Sequence, residues 1–179
     1  MRVRISEGSD PQPQLLIDSV WNPELGFADW AVAGADEPLN RGGLRAKAAL
    51  QTAVVLALFT DKRCPDDHPL RRYVGDNDPG GWWGDGVDVR ADLFEDELGS
   101  LLWTLQRAVL TEDTRRWVER LAEEALAPLI RQGAVVRIDV QAIARPAVNR
   151  LDLHVQMYGR DGARKYEHRF EDIWRQVQA

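Results

Sequence analysis

Along this chain the spacing of apolar residues changes from helical to alternating, and the change divides the molecule. From Leu44 to Phe59 Ala, Leu and Val occupy nearly every side of a helical wheel, which predicts a largely buried, central helix. A second helix is expected over Glu95 to Leu110, with Leu98, Leu101, Leu102, Leu105 and Val109 on one stripe and Trp103 beside it. Gly99 weakens its start by about 1 kcal/mol relative to Ala, so a close approach of another segment is expected there. Thr111 is a suitable N-cap for a third helix, with Glu112 and Asp113 where the helix dipole favours carboxylates. Its apolar face is Trp117, Val118, Leu121, Ala125, Leu126 and Leu129. Pro128 should bend or end it, and Gly133 is a natural stop.

From Val136 the period becomes two. Val136, Ile138, Val140 and Ala142 alternate with polar residues, and Leu151, Leu153, Val155 and Met157 repeat the pattern. Arg160-Asp161-Gly162 then signals a hairpin leading to a third strand over Arg164 to Phe170. Leu15-Leu16-Ile17 and Ala28 to Val32, separated by Asn22-Pro23 and Gly26, suit short strands. The expected class is α+β: about three helices packed on one face of a small antiparallel meander sheet, formed mainly by the C-terminal third, with short N-terminal strands. Residues 1–14, with Pro11 and Pro13, read as an N-terminal arm, and residues 15–179 as a single domain. That domain carries a long Gly- and Asp-rich loop over 60–93.

Composition narrows the function classes. At 179 residues and 44% hydrophobic content a real core is affordable. The longest apolar stretch, Ala46 to Phe59, is interrupted by Lys47, Gln51 and Thr52 and falls short of the roughly 20 residues a membrane span needs. No apolar segment follows the basic start, so no secretion signal is expected and residence in a cytoplasm follows. The lone Cys64 excludes an internal disulfide and a multi-cysteine zinc site. Residues 1–100 carry a net −8 and residues 131–179 a net +3, with no dense basic face for a phosphate backbone, so nucleic acid is not an expected partner.

Candidate chemistry is sparse. Cys64-Pro65-Asp66-Asp67-His68 gathers three ligand types, but no second cluster supplies a fourth ligand, and an acidic solvated turn explains it. The glycines around Trp82 and Trp83 are not followed by Lys, Ser or Thr, and Asp76, Asp78, Asp85 and Asp88 would repel a phosphate. The four serines lie in no nucleophile-elbow context. His68, His154 and His168 show no useful spacing, and His154 and His168 read as surface or sheet-edge residues. Glu95, Asp96 and Glu97 suit the charged first turn of a helix better than a glycosidase pair. No catalytic residue, metal or cofactor is assigned. Trp82 and Trp83, bracketed by glycines, either close the core or anchor a partner, and one can do each.

Three segments in order are more specific than any one of them. Leu56-Ala57-Leu58-Phe59-Thr60-Asp61-Lys62-Arg63, Pro79-Gly80-Gly81-Trp82-Trp83-Gly84-Asp85 and Gly99-Ser100-Leu101-Leu102-Trp103, with the helix that follows and the closing Phe170 to Trp174, resemble the small baseplate proteins of Mu-type contractile-tail phages and related prophages. That family is similar in turn to wedge proteins of other contractile tails, once called lysozyme-like and now viewed as sheath initiators. The resemblance implies a non-enzymatic wedge subunit of a virion tail baseplate. It would be present in six copies, contact other wedge proteins and the tail sheath, and be made in the bacterial host cytoplasm. A Glu-Pro-Arg motif common in the wider group is absent here, Arg131 being a partial counterpart. The candidate partner-binding residues are Trp82, Trp83, Asp85 and Arg131, together with a free sheet edge in residues 134–170 able to accept an extended arm. The alternatives are a tail-associated lysozyme-like glycoside hydrolase and a general interaction domain.

Overall fold

The structure, a computed structural model, describes residues 19–24, 26–32, 49–75, 78–83, 89, 92 and 96–175. The expected arm at 1–14, the Leu15-Leu16-Ile17 strand and the first turns of the 44–59 helix lie outside these residues. Among the described residues the architecture is α+β, with two α-helices and two antiparallel sheets. Strands β1 (Ser19–Asn22) and β2 (Phe27–Trp30) form a hairpin, Ser19 opposite Trp30. Helix α1 (Ala49–Phe59) follows, then a long irregular segment, then helix α2 (Glu112–Arg131). The chain closes in β3 (Arg137–Arg145), β4 (Arg150–Tyr158) and β5 (Arg164–Arg175), a meander in the order β3-β4-β5.

Helix α1 is buried nearly all round, as its composition predicts: Ala53, Val54, Val55, Ala57 and Leu58 are all core residues. Helix α2 starts where Thr111 Oγ1 accepts the Thr114 N–H at 3.1 Å, and its Val118, Leu121, Ala122, Leu126 and Leu129 face inward. Trp117 lies at the margin, its ring covered by the Arg120 guanidinium at 3.8 Å. Pro128 does not end the helix at once. One more turn runs to Arg131, because the missing N–H costs only the bond to Glu124 and the Gln132 N–H still reaches the Pro128 carbonyl at 2.9 Å. Gly133, at φ +73°, then closes it, and the Ala134 N–H returns to the Leu129 carbonyl.

The second expected helix, Glu95 to Leu110, is not an α-helix. From Asp96 to Leu101 the chain bends without helical bonding, and only a short 3-10 helix, Leu102–Arg107, follows. The reason is local. Gly99 adopts φ +106°, which no α-helix accommodates, and Ser100 spends its backbone groups on a parallel bridge: Ser100 N–H to Thr60 O and Lys62 N–H to Ser100 O, both 2.9 Å. The leucine stripe was real as a burial pattern, since Leu101 and Leu105 are core, but Val109 is exposed.

In the C-terminal sheet the apolar alternation holds through the middle of the strands, broken in β4 by a buried Asp152 on the outer face. Ala142, Leu153 and Phe170 lie in register on the inner face, as do Val140, Val155 and His168. His168 does lie on an edge strand, but it is turned inward: it stands half-buried against Phe170, ring centroids 4.5 Å apart. His154 does lie on the outer face, 3.1 Å from Glu167. A left-handed Asn149 at φ +50° and Gly162 at φ +73° make the two reversals. The hairpin at the other end of the chain joins the core through Trp21. Its indole stacks on Phe59 at 4.0 Å, meets Phe170 edge-on, and donates from Nε1 to the Glu171 carbonyl at 3.0 Å.

Candidate functional site

The three sequence landmarks meet in space. Phe59 to Arg63 leaves α1 and runs beside Gly99 and Ser100, forming the parallel bridge described above. The Ser100 hydroxyl donates to the Leu58 carbonyl and accepts the Leu102 N–H at 3.1 Å, so one side chain fixes both segments. Trp103 crosses the junction, and its Nε1–H donates to the Lys62 carbonyl at 2.9 Å. The Pro79 segment closes the third side, where the Cys64 N–H donates to the Pro79 carbonyl at 2.9 Å.

Two glycines are required by this geometry. A Cβ at Gly99 would lie 2.3 Å from the Thr60 carbonyl oxygen, the close approach expected from sequence. A Cβ at Gly80 would lie 2.3 Å from the Trp103 ring, and Gly80 also takes φ +70°. Gly80 therefore lies flat on an indole that is itself hydrogen-bonded in place, and the chain leaves the junction at a defined point.

Just beyond that point stand Trp82 and Trp83, ring centroids 5.1 Å apart. Trp82 is 39% exposed and Trp83 87% exposed. The landmark tryptophans divide by role: Trp103 is the structural one, Trp83 faces outward, and Trp82 is more than half covered beside it. An indole buries 150–250 Å² when covered, so the pair is a large apolar area on a stiffly held base. Asp85 lies outside the described residues.

Arg131 is at the other side of the junction, at the end of α2. Its Nη2 lies 3.0 Å from Asp96 Oδ2, and Lys62 Nζ reaches Asp96 Oδ1 at 3.8 Å. Asp96 thus ties the helix end to the strand-like segment after α1, and Arg131 belongs to that tie rather than to the tryptophan surface. A groove of ≈ 220 Å³ is bordered by Arg63, Asp96, Glu97, Ser100 and Pro128.

The other reactive candidates have packing roles. The Cys64 thiol is buried, which pushes it above its usual pKa, and it lies 3.7 Å from the Pro65 carbonyl. His68 Nδ1 accepts the Leu70 N–H at 3.2 Å, capping a short 3-10 helix, while its ring edges onto Trp117. Sequence reasoning missed the role of Glu119. Its Oε1 accepts the Ala142 N–H at 3.0 Å and pairs with Arg115, so α2 covers the middle of the outer edge of β3. A glutamate on the wet side of a helical wheel carries no signal of this kind.

Comparison with known proteins places the junction within a shared region. The family model for phage protein GP46 matches residues 50–164, from α1 to the start of β5. The baseplate protein gp46 of Escherichia phage Mu is 40% identical over 94 residues, covering 52% of this chain and 59% of that protein. No solved structure matches. With its three landmarks, nearly all of α1, all of α2 and the strands β3 and β4 inside the matched stretch, this chain belongs to the GP46 family of phage proteins.

Proposed function

We propose that this chain is a structural, non-enzymatic component of a phage-type contractile-tail baseplate. It serves as a wedge subunit that contacts other wedge proteins and initiates the sheath. The observation that carries the reading is the tryptophan pair. Two adjacent indoles, one of them 87% exposed, stand on a glycine turn held against Trp103, inside the stretch that matches the GP46 family model. A free-standing soluble protein gains nothing from displaying such a pair, whereas an assembly protein gains an anchor worth roughly 2–4 kcal/mol when a partner covers it.

The sheet supplies a second contact. Each edge strand is engaged, β3 at Ala142 by Glu119 and β5 at Glu171 by the Trp21 indole, and an extended arm of a sheath or wedge protein can add by backbone hydrogen bonds along β5 before Glu171. A structural reading also fits the fate of the acidic cluster, since Asp96 is engaged by Lys62 and Arg131. The test is co-expression with the neighbouring tail genes, followed by size-exclusion chromatography with light scattering. Wild type should form a stable hetero-complex. The Trp82→Ala/Trp83→Ala variant should fold but lose it, by roughly a hundredfold or more in affinity. A complex unaffected by the double substitution removes the loop from the interface, and no complex with any tail protein removes the function.

A further inference from the structure

The outer face of the C-terminal sheet holds an arrangement that packing does not require. Asp152, in the middle strand, is completely buried, and three arginines converge on it from three strands. Arg145 Nε and Arg150 Nε lie 2.9 Å from its two oxygens, and Arg169 Nη2 also bonds to Oδ2. The guanidiniums are not buried with it: the side chains of Arg145, Arg150 and Arg169 remain 43%, 23% and 36% exposed.

One carboxylate neutralises one guanidinium. It offers about four lone-pair sites, against five N–H donors on each of three arginines. Among the described side chains two positive charges and most of the donors are therefore left over, and Arg169 Nε is buried with no hydrogen-bond partner. Among the described residues no other carboxylate pairs with these three arginines. Glu167, on the same face, already accepts from His154 and Gln156 and pairs with Arg164. Like charges crowded around one anion repel, and β-strands hold them where they are.

We propose that this face is a docking surface for a carboxylate-bearing segment of a partner protein, received by Arg145, Arg150 and Arg169 around Asp152. Guanidinium forks match carboxylates in pairs of parallel hydrogen bonds, and a cluster fixed on a sheet binds with little loss of side-chain freedom. An acidic protein segment fits better than nucleic acid. The chain as a whole carries −6 and its first hundred residues −8, which repels a long polyanion while leaving a local cationic face open to a short one. The surface is separate from the tryptophan pair, and its biological sense rests on the assembly reading above.

The experiment is titration of a fluorescently labelled hexaglutamate peptide with the full chain, followed by anisotropy. Binding is expected at low salt and should weaken roughly tenfold at physiological ionic strength. Arg145→Gln/Arg169→Gln leaves Arg150 opposite Asp152, so the buried carboxylate stays paired one to one, and affinity should fall roughly fivefold or more. Asp152→Asn adds a net positive charge to the face and should tighten binding, an effect that a purely structural cluster would not produce. Circular dichroism melting confirms the fold of each variant. If the double variant does not fold, Arg145→Gln alone, the most exposed of the three, carries the test. No binding at low salt, equal binding by the folded arginine variants, or tighter binding of duplex DNA of similar charge overturns the proposal. A chain that joins tail proteins but ignores the peptide sinks this proposal alone. A chain that binds the peptide but joins no tail protein upholds this surface and sinks the baseplate reading.

Discussion

Single residues decide whether the junction forms. Gly99 combines φ +106° with a carbonyl 2.3 Å from where its Cβ would lie, and backbone cannot yield as a side-chain tip can. Gly99→Ala should cost about 3 kcal/mol in chemical denaturation, from strain plus the lost Thr60–Ser100 bridge. His168 sets a pH dependence. Burial holds its imidazole below the usual 6.5, so the unfolded chain takes up the proton first as the pH falls. The stability it contributes is complete above 6.5 and is lost as the pH drops through the lowered folded value. Urea unfolding of wild type from about pH 8 to about pH 5 should show that decline, and His168→Gln should flatten it. The sequence indicated that Gly99 meets another segment, because glycine in an otherwise helical stripe is costly without a reason. Reading His168 as a surface residue overlooks a signal that is there: Tyr166 and Phe170, two residues to either side, alternate with Glu167 and Arg169 and put the histidine on their face of the strand.

At the scale of elements, periodicity located α1, α2 and the meander, because each buries one face of a regular element and the residues repeat accordingly. It failed over residues 95–110. Leu101 and Leu105 are four apart and both buried, as in a helix, yet a left-handed glycine and a bridge to a segment about 40 residues earlier take the backbone elsewhere. Side-chain spacing reports burial, whereas the path of the backbone hydrogen bonds depends on partners remote in sequence. The candidate site divides in the same way. Exposure of the Trp82-Trp83 pair is compatible with its glycine-rich surroundings, but the Arg131–Asp96 tie joins residues 35 apart and leaves no local trace. Glu119 is an element-scale device of this hidden kind, a helix side chain sealing a strand edge. Glu119→Ala should cost about 1–2 kcal/mol by leaving the Ala142 N–H without its acceptor. It should also promote self-association, read by analytical ultracentrifugation, because an edge amide is now free.

At the scale of the molecule, the hairpin near one end and the last strand near the other share one aromatic cluster, Trp21, Phe59 and Phe170. The core beneath them is continuous from α1 through α2 to the inner face of the sheet. Around that core stand two unlike surfaces, an apolar pair on a clamped loop and an arginine face with surplus positive charge, as a protein that joins different neighbours would present. The most direct measurement of the central claim is a cryo-electron microscopy reconstruction of the particle assembled from the complete tail gene cluster. The account predicts this chain in the baseplate with the Trp83 indole buried against a different protein. A particle that lacks the chain, or one in which Trp82 and Trp83 still face solvent, would contradict it.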